Sequence, residues 1–372
     1  MTTELSTRVL IIGGGATGTA VARDLSLRGI ESILVEKSDI NSGASGGNHG
    51  LLHSGARYVF SDAEAAIECR QESQILKRVA PHCIEETGGL FAAVTGDDES
   101  YIHEFPNLCS KVNIEARQLD PAEALELEPA LSRDLIAAYE VADATVDPFR
   151  LSLEMMEDAC QMGGRYLANH RVVAFQKGKS IDQVIVEDIR SGKRKTINTE
   201  LVINATGAWA GKVAAMAGAS IDIIYSKGSL LVTKNRLTDR VINRLRTPAD
   251  ADIVVPGGTV SVLGTTSILA ENLDNIKPTV FETGFILDEC SAMIPQLNET
   301  RIIRAYSGVR PLVGVGEEME EDSRSVSRGF ALIDHSQDEI DNLITITGGK
   351  LTTCRLMAEK TVDLACSKLG VN

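Results

Sequence analysis

A glycine fingerprint near the start of the chain limits its fold more than any other feature. Arg8–Ile12 (RVLII) is a short apolar, β-branched run that reads as a buried strand. Gly13-x-Gly15-x-x-Gly18 follows at once, and residues 20–28 have helical composition and stop at Gly29, a residue suited to ending a helix. Ser32–Glu36 (SILVE) is a second buried strand. Strand, helix and strand in this span form a βαβ unit, which builds a parallel sheet. The first glycine allows the tight turn, the second lets the backbone approach a pyrophosphate, and the third lets helix and strand pack closely. The helix N-terminus adds N–H groups and a positive dipole end. Glu36 closes the second strand, where a carboxylate accepts hydrogen bonds from ribose hydroxyls and repels a 2′-phosphate. The alternative, a glycine turn with no ligand, leaves the whole βαβ context unexplained.

The chain has 372 residues, a length that suits two domains. With 43% apolar and 24% charged residues it can bury a core, which excludes wholesale disorder. A net charge of −15 opposes nucleic acid as a partner. Seven cysteines are scattered without C-x-x-C spacing, which points to a reducing, cytoplasmic setting and to no metal or iron–sulfur site in this stretch. The short apolar run at Val9–Ile12 is too brief for a signal peptide, and no run is long enough to predict a membrane-spanning helix.

Further along, Asp62 predicts a helix to about Ala80, and Asp147-Pro148 predicts another that ends before Gly163-Gly164. Strands are expected at Leu90–Val94, Ile136–Tyr139, Val172–Phe175, Val184–Asp188, Glu200–Asn204, Ser229–Thr233, Ile253–Val255, Thr259–Gly264 and Asn342–Thr347. The acidic run Gly316–Asp322 reads as a solvated loop, and residues 351–369 as a closing helix. Nucleotide-type elements recur at the start, middle and end, so two domains are expected to interleave. Residues 1–85, 145–220 and 325–372 form the dinucleotide-binding one, and 86–144 and 221–324 the second.

Residues 41–58 bear on the choice between NAD and FAD. A small, polar run at this place suits a ligand that continues across the sheet, as FAD does, although a plain flexible loop has the same composition. Asn204–Trp209 (NATGAW) is a second small-residue turn after a strand, and Ile344–Thr353 (ITITGGKLTT) a third, opening a helix near Lys350 whose dipole would stabilise a reduced flavin. Arg57, Arg310 and Lys350 interrupt apolar or small stretches, where each is either a surface ion-pair partner or a grip for an anion. His49 and His53 fall in the Gly-rich stretch, and a histidine there suits proton transfer. Trp209 reads as core, and His82, His103, His170 and His335 have no partner pattern.

Taken together, GGGATG, GASGGNHGLLHSGARY, DATVDPFRL, NATGAW, KGSLL, RAYSGVRPL and TGGKLTTCRLMAE resemble the FAD-dependent glycerol-3-phosphate dehydrogenases, most of all the catalytic A subunits of the bacterial anaerobic enzymes. The resemblance covers essentially the whole chain. It implies a glutathione-reductase-like, amino-acid-oxidase-type α/β fold (α+β in the second, antiparallel-sheet domain), FAD as cofactor, and oxidation of sn-glycerol 3-phosphate to dihydroxyacetone phosphate. It also implies partner subunits that pass electrons to quinone, with peripheral attachment to the inner membrane. Cofactor contacts implied by motif are Gly13, Gly15, Ala16, Thr17, Gly18, Glu36 and Lys37, then Ser42, Ser45, Gly46, Asn48, His49, Gly50 and Leu52. Val172, Ala205, Gly207, Gly349, Lys350, Leu351 and Thr352 complete that set. Arg57, Tyr58, Arg310 and Lys350 are implied to bind substrate, with Arg57, Arg310 and Lys350 also acting in catalysis. Single-chain relatives carry a histidine where this chain has Leu230, so His53 is taken as the base instead. Fuller relatives of the anaerobic type continue into a Cys-rich domain, and this chain corresponds to their catalytic portion. A related flavoenzyme acting on a 2-hydroxy acid or amino acid is the alternative function, and a nucleotide-binding protein without turnover is a further one.

Overall fold

The computed structural model describes residues 3–178, 180–273, 276–313 and 329–371. The acidic run Gly316–Asp322 lies outside the described residues. The chain separates into two compact units, one of Met1–Gly46, Pro148–Tyr225 and Val309–Asn372, the other of Gly47–Asp147 and Ser226–Gly308.

In the first unit, strand β1 (Thr3–Ile12) leads through the glycine turn into helix α1 (Ala16–Leu27) and strand β2 (Ser32–Val35). β1 pairs in parallel with β2 on one side and with the strand Arg194–Asn204 on the other. Arg165–Leu167 extends the parallel set beyond β2, and Leu343–Gly348 joins it beside Val202–Asn204. Val9, Leu10, Ile11, Ile33 and Leu34 are fully buried, as strands covered on both faces must be. The lower half of Arg194–Asn204 instead pairs antiparallel with Ile181–Asp188, which pairs with His170–Lys177. One long strand thus serves a nucleotide-type sheet at one end and a meander at the other. α1 packs against the helices Pro148–Gln161 and Cys354–Leu369, and Ala16, Gly18, Ala20 and Ala22 are among its buried residues.

The second unit carries a sheet in the order Ile268–Ala270, Ile223–Thr233, Val260–Gly264, Ile253–Gly257, Val241–Arg244, Gly89–Val94, Leu135–Val141, Arg117–Leu119, with Ile302–Val313 also on Ile223–Thr233. Val241–Arg244 and Gly89–Val94 run parallel, whereas the flanking pairs are antiparallel. Phe91, Phe105, Tyr101 and Tyr139 centre one apolar cluster, and Leu231, Ile242, Val254 and Ile286 another.

The first segment of the first unit ends at Gly46, so residues 47–85 group with the second unit and not, as expected from the sequence, with the first. The cause is packing. Ala56, Tyr58, Ala65, Ala66 and Cys69 join the Phe91–Phe105 cluster, and Leu51–Leu52 pairs with Ala144–Val146. The helix Ala63–Val79 is capped by Asp62, whose carboxylate accepts from Ala65 N–H at 2.9 Å.

Helices Glu99–Lys111 and Val280–Met293 had no clear signal in the sequence. Pro106 lies inside the first, a position that disfavours a helix. The second reverses the usual polarity at its start, with Val280 and Phe281 exposed and Glu282 buried. Among the described residues no helix is long and apolar enough to cross a membrane.

Candidate active site

The glycine turn is fixed by contacts that no larger residue would allow. Gly13 has φ +111, and a Cβ there would lie 2.5 Å from the Ala205 carbonyl oxygen. A Cβ on Gly18 would lie 1.9 Å from the Gly13 carbonyl oxygen. Gly15, by contrast, begins α1 with no side-chain cap. The first N–H of the helix, that of Ala16, donates to Ser45 Oγ at 3.0 Å.

Glu36 is buried, and both its oxygens are engaged. Gly14 N–H donates to Oε2 at 2.7 Å and Ser38 N–H to Oε1 at 2.8 Å. The carboxylate therefore braces the glycine turn and keeps further lone pairs for hydroxyl donors. Beside it, Lys37 lies with its ammonium 3.5 Å from the centre of the Trp209 ring, and burial lowers its pKa. Trp209 is half-buried rather than core, because its ring is the platform for Lys37.

This arrangement fits a dinucleotide. A helix of 12 residues opens at the end of the central strand without a side-chain cap from Gly15, and a carboxylate closes the neighbouring strand. The other predicted cofactor residues of this unit divide into two groups. Ala205 and Gly207 form a turn at the end of Arg194–Asn204, whose Gly207 carbonyl accepts from Thr347 Oγ1 at 3.1 Å. Gly349, Lys350, Leu351 and Thr352 form the turn after the neighbouring strand Leu343–Gly348. A Cβ on Gly349 would lie 2.5 Å from Met357 Sδ. The helix beyond starts as a 3₁₀ turn, Leu351–Thr353, and becomes α-helical only at Cys354.

His335, unassigned from sequence, is fully buried beneath these turns. Its Nδ1 meets Asp338 at 2.6 Å and its Nε2 meets Thr345 Oγ1 at 2.9 Å. Thr345 Oγ1 accepts from Asn204 Nδ2 at 3.1 Å, and Asn204 Oδ1 accepts from Thr206 Oγ1 at 2.6 Å. One polar chain thus ties the turn after Arg194–Asn204 to the neighbouring strand Leu343–Gly348. Ser42 is exposed and holds its own turn through Asp39, and Gly46 packs against Asn41 and Phe149. Val172 sits on the meander, opposite Val186 and beside an irregularity in the register.

In the second unit, residues 47–58 form a folded loop. Gly47 and Gly308 pack backbone to backbone, where a Cβ on Gly308 would lie 2.4 Å from the Gly47 carbonyl oxygen. Tyr306 hydroxyl donates to the Asn48 carbonyl at 2.7 Å, Asn48 Oδ1 accepts from Gly50 N–H at 2.7 Å, and His49 Nδ1 accepts from Leu51 N–H at 3.3 Å. Leu52 is fully buried. His53 is buried, with Nε2 3.3 Å from the Tyr58 hydroxyl. The next residue, Ser54, donates its N–H to the buried Asp143 at 2.7 Å. Burial raises the Asp143 pKa.

Arg57 does not reach out as an unengaged cation. Its Nη2 donates to the Ala249 carbonyl at 2.8 Å and to Asp252 at 2.9 Å. Asp252 had no sequence signal, being one acid in the run Asp250-Ala251-Asp252. Arg310 is half-buried on the strand Ile302–Val313. Among the described residues no cluster of three or more metal-ligating side chains exists.

Comparison with known proteins agrees with this geometry. The model of the FAD dependent oxidoreductase family, DAO, matches residues 8–364. The A subunit of the anaerobic glycerol-3-phosphate dehydrogenase of Escherichia coli is 47% identical over 98% of this chain and 68% of its own length. Glycine oxidase from Bacillus cereus shares the fold, with TM-score 0.80 at 22% identity over 97% of this chain and 95% of its own. The glycerol-3-phosphate dehydrogenase from Bacillus halodurans, solved with FAD, gives TM-score 0.73 at 25% identity over 99% of this chain and 66% of its own. FAD is therefore the cofactor of this chain. The chain belongs to the FAD dependent oxidoreductase family and, within it, groups with the A subunits of anaerobic glycerol-3-phosphate dehydrogenase.

Proposed function

We propose that the chain oxidises sn-glycerol 3-phosphate to dihydroxyacetone phosphate. The observation that carries this reading is the 47% identity to the Escherichia coli dehydrogenase over 98% of the chain. In this reading the first unit is the FAD-binding domain and the second the substrate domain. Bound FAD supplies a two-electron acceptor for the hydride that leaves C2. The C2 hydroxyl proton goes to His53 as base. Tyr58 orients that imidazole, and Arg57 grips the phosphate. Arg310 and Lys350 of the first unit are likewise assigned to the substrate, because a phosphate dianion calls for more than one cation. Glu36 and the turns at Ala205–Gly207 and Gly349–Thr352 hold the cofactor.

Electrons then leave for partner subunits and quinone, which places the protein peripherally at the inner membrane. The test is turnover with an artificial electron acceptor. Glycerol 3-phosphate should support it, while glycine and 2-hydroxyglutarate should not. Turnover on either of the latter alone would transfer the chain to the amino-acid or hydroxy-acid branch of the family.

A further inference from the structure

We propose that Asp143 is a positioning residue for the proton transfer: it fixes the turn from His53 to Tyr58 against the sheet of the second unit, and so sets where the His53 imidazole stands. The inference rests on the assignment of His53 as base and adds to it the buried acid behind that turn.

Asp143 falls between the strands Leu135–Val141 and Ala144–Val146. Leu52 pairs antiparallel with Ala144, so the register continued by one residue sets position 143 against position 53. The Asp143 side chain is buried, and its two oxygens serve two different elements. Oδ1 accepts the Ser54 N–H at 2.7 Å, and Oδ2 accepts from Asn243 Nδ2 at 3.1 Å. Both donors are neutral. An ionisable group is costly to bury among neutral partners, and what it supplies in return is a rigid acceptor that bridges the two elements.

The fold makes room for this acid. A Cβ on Gly89 would lie 2.6 Å from the Asp143 Cβ. Asn243 is fully buried on the strand Val241–Arg244, which runs parallel to Gly89–Val94. Asp143 thus links the parallel pair within the second unit's sheet to the turn that carries His53. The turn is held from its other side as well. Gly55 has φ +101, and a Cβ there would lie 2.2 Å from the carbonyl oxygen of Ala66, on the helix Ala63–Val79. Ala56 N–H donates to Ser54 Oγ at 3.4 Å, and Tyr58 N–H to the Gly55 carbonyl at 2.9 Å. Tyr58, whose hydroxyl lies 3.3 Å from His53 Nε2, is placed by the same backbone. A base that must meet one particular hydroxyl needs its ring held closely, and supporting hydrogen bonds of this kind hold it.

The experiment follows flavin reduction by glycerol 3-phosphate under anaerobic mixing. It uses holoenzyme of wild type, Asp143→Ala, Asp143→Asn, His53→Ala and the Asp143→Ala/His53→Ala double variant. Flavin content, Tm and the substrate concentration at half-maximal rate are read alongside. Asp143→Ala should slow reduction by about 30-fold or more, with half-saturation within about threefold and flavin content unchanged. Asp143→Asn keeps an oxygen for the Ser54 N–H, and the Asn243 amide can turn its own oxygen to the new amide. It should therefore stay within about fivefold of wild type. The double variant should be no slower than His53→Ala, since Asp143 acts through His53. Loss of flavin in parallel with rate, Asp143→Asn as slow as Asp143→Ala, or full multiplication of the two losses in the double variant would overturn the proposal. Should Asp143→Ala fail to fold, Asn243→Ala decides. It frees the acid from the sheet, so it should slow reduction by about fivefold or more in wild type and leave His53→Ala unchanged. Equal slowing in both backgrounds, or none in wild type, would overturn the proposal. His53→Ala as fast as wild type would refute the assigned base and this proposal with it, whereas wild type whose flavin ignores glycerol 3-phosphate would refute the substrate reading beneath both.

Discussion

Glu36 and Gly14 are joined by a hydrogen bond of 2.7 Å, from the glycine N–H to the carboxylate Oε2. The acid at the end of the second strand thus shapes the glycine turn. Glu36→Ala strands two N–H donors, those of Gly14 and Ser38, at a cost of about 1–3 kcal/mol each. FAD affinity, measured by reconstituting apoprotein, should fall at least about 10-fold. Unchanged affinity would remove Glu36 from the cofactor site.

Gly18 and Gly29 offer a matched pair. A methyl on Gly18 meets a backbone oxygen at 1.9 Å, while one on Gly29 meets nothing within 4 Å and pays only for φ +71. Gly29→Ala should lower Tm by a few degrees, about what 1–2 kcal/mol removes. Gly18→Ala should lose flavin and lower Tm by more than about 10 °C, or fail to fold. Equal, small effects would contradict the turn geometry.

Glu282 gives a pH prediction. Its burial raises the pKa, but hydrogen bonds from Lys227 Nζ, Ser229 Oγ and Thr279 outweigh this and hold it at about 2, below the ordinary 4.5. A carboxylate with a depressed folded-state pKa stabilises above its unfolded value and loses that contribution as pH falls from 4.5 towards 2. Glu282→Gln should therefore cost most stability near pH 6 and progressively less below pH 4.5, read from urea unfolding at several pH values. A deficit independent of pH would argue against the ion pair with Lys227.

Arg310 is assigned to substrate and not to cofactor. Arg310→Ala should raise KM for glycerol 3-phosphate about 10–100-fold while flavin content stays the same. Parallel loss of both would mark a structural arginine.

The βαβ unit was legible because it is local. Glycine spacing, two buried β-branched runs and a terminal acid all lie within Arg8–Glu36, and β1, α1 and β2 follow them closely. The helix after Asp147 was legible for the same reason, an N-cap followed by Pro148. The destination of residues 47–85 was not, because it depends on Tyr58 and Cys69 packing with Phe91 and Phe105, a choice made by tertiary contact. Asp252 and His335 were invisible for a related reason. Each acts through partners beyond its local motif, Arg57 for one and Thr345 with Asn204 behind it for the other.

The most direct measurement is anaerobic mixing of the oxidised flavoprotein with glycerol 3-phosphate, following the visible flavin band and assaying dihydroxyacetone phosphate in the quench. The account predicts that the band bleaches and that one dihydroxyacetone phosphate forms per flavin reduced. A band that stays unchanged with glycerol 3-phosphate, in protein that dithionite still bleaches, would contradict it.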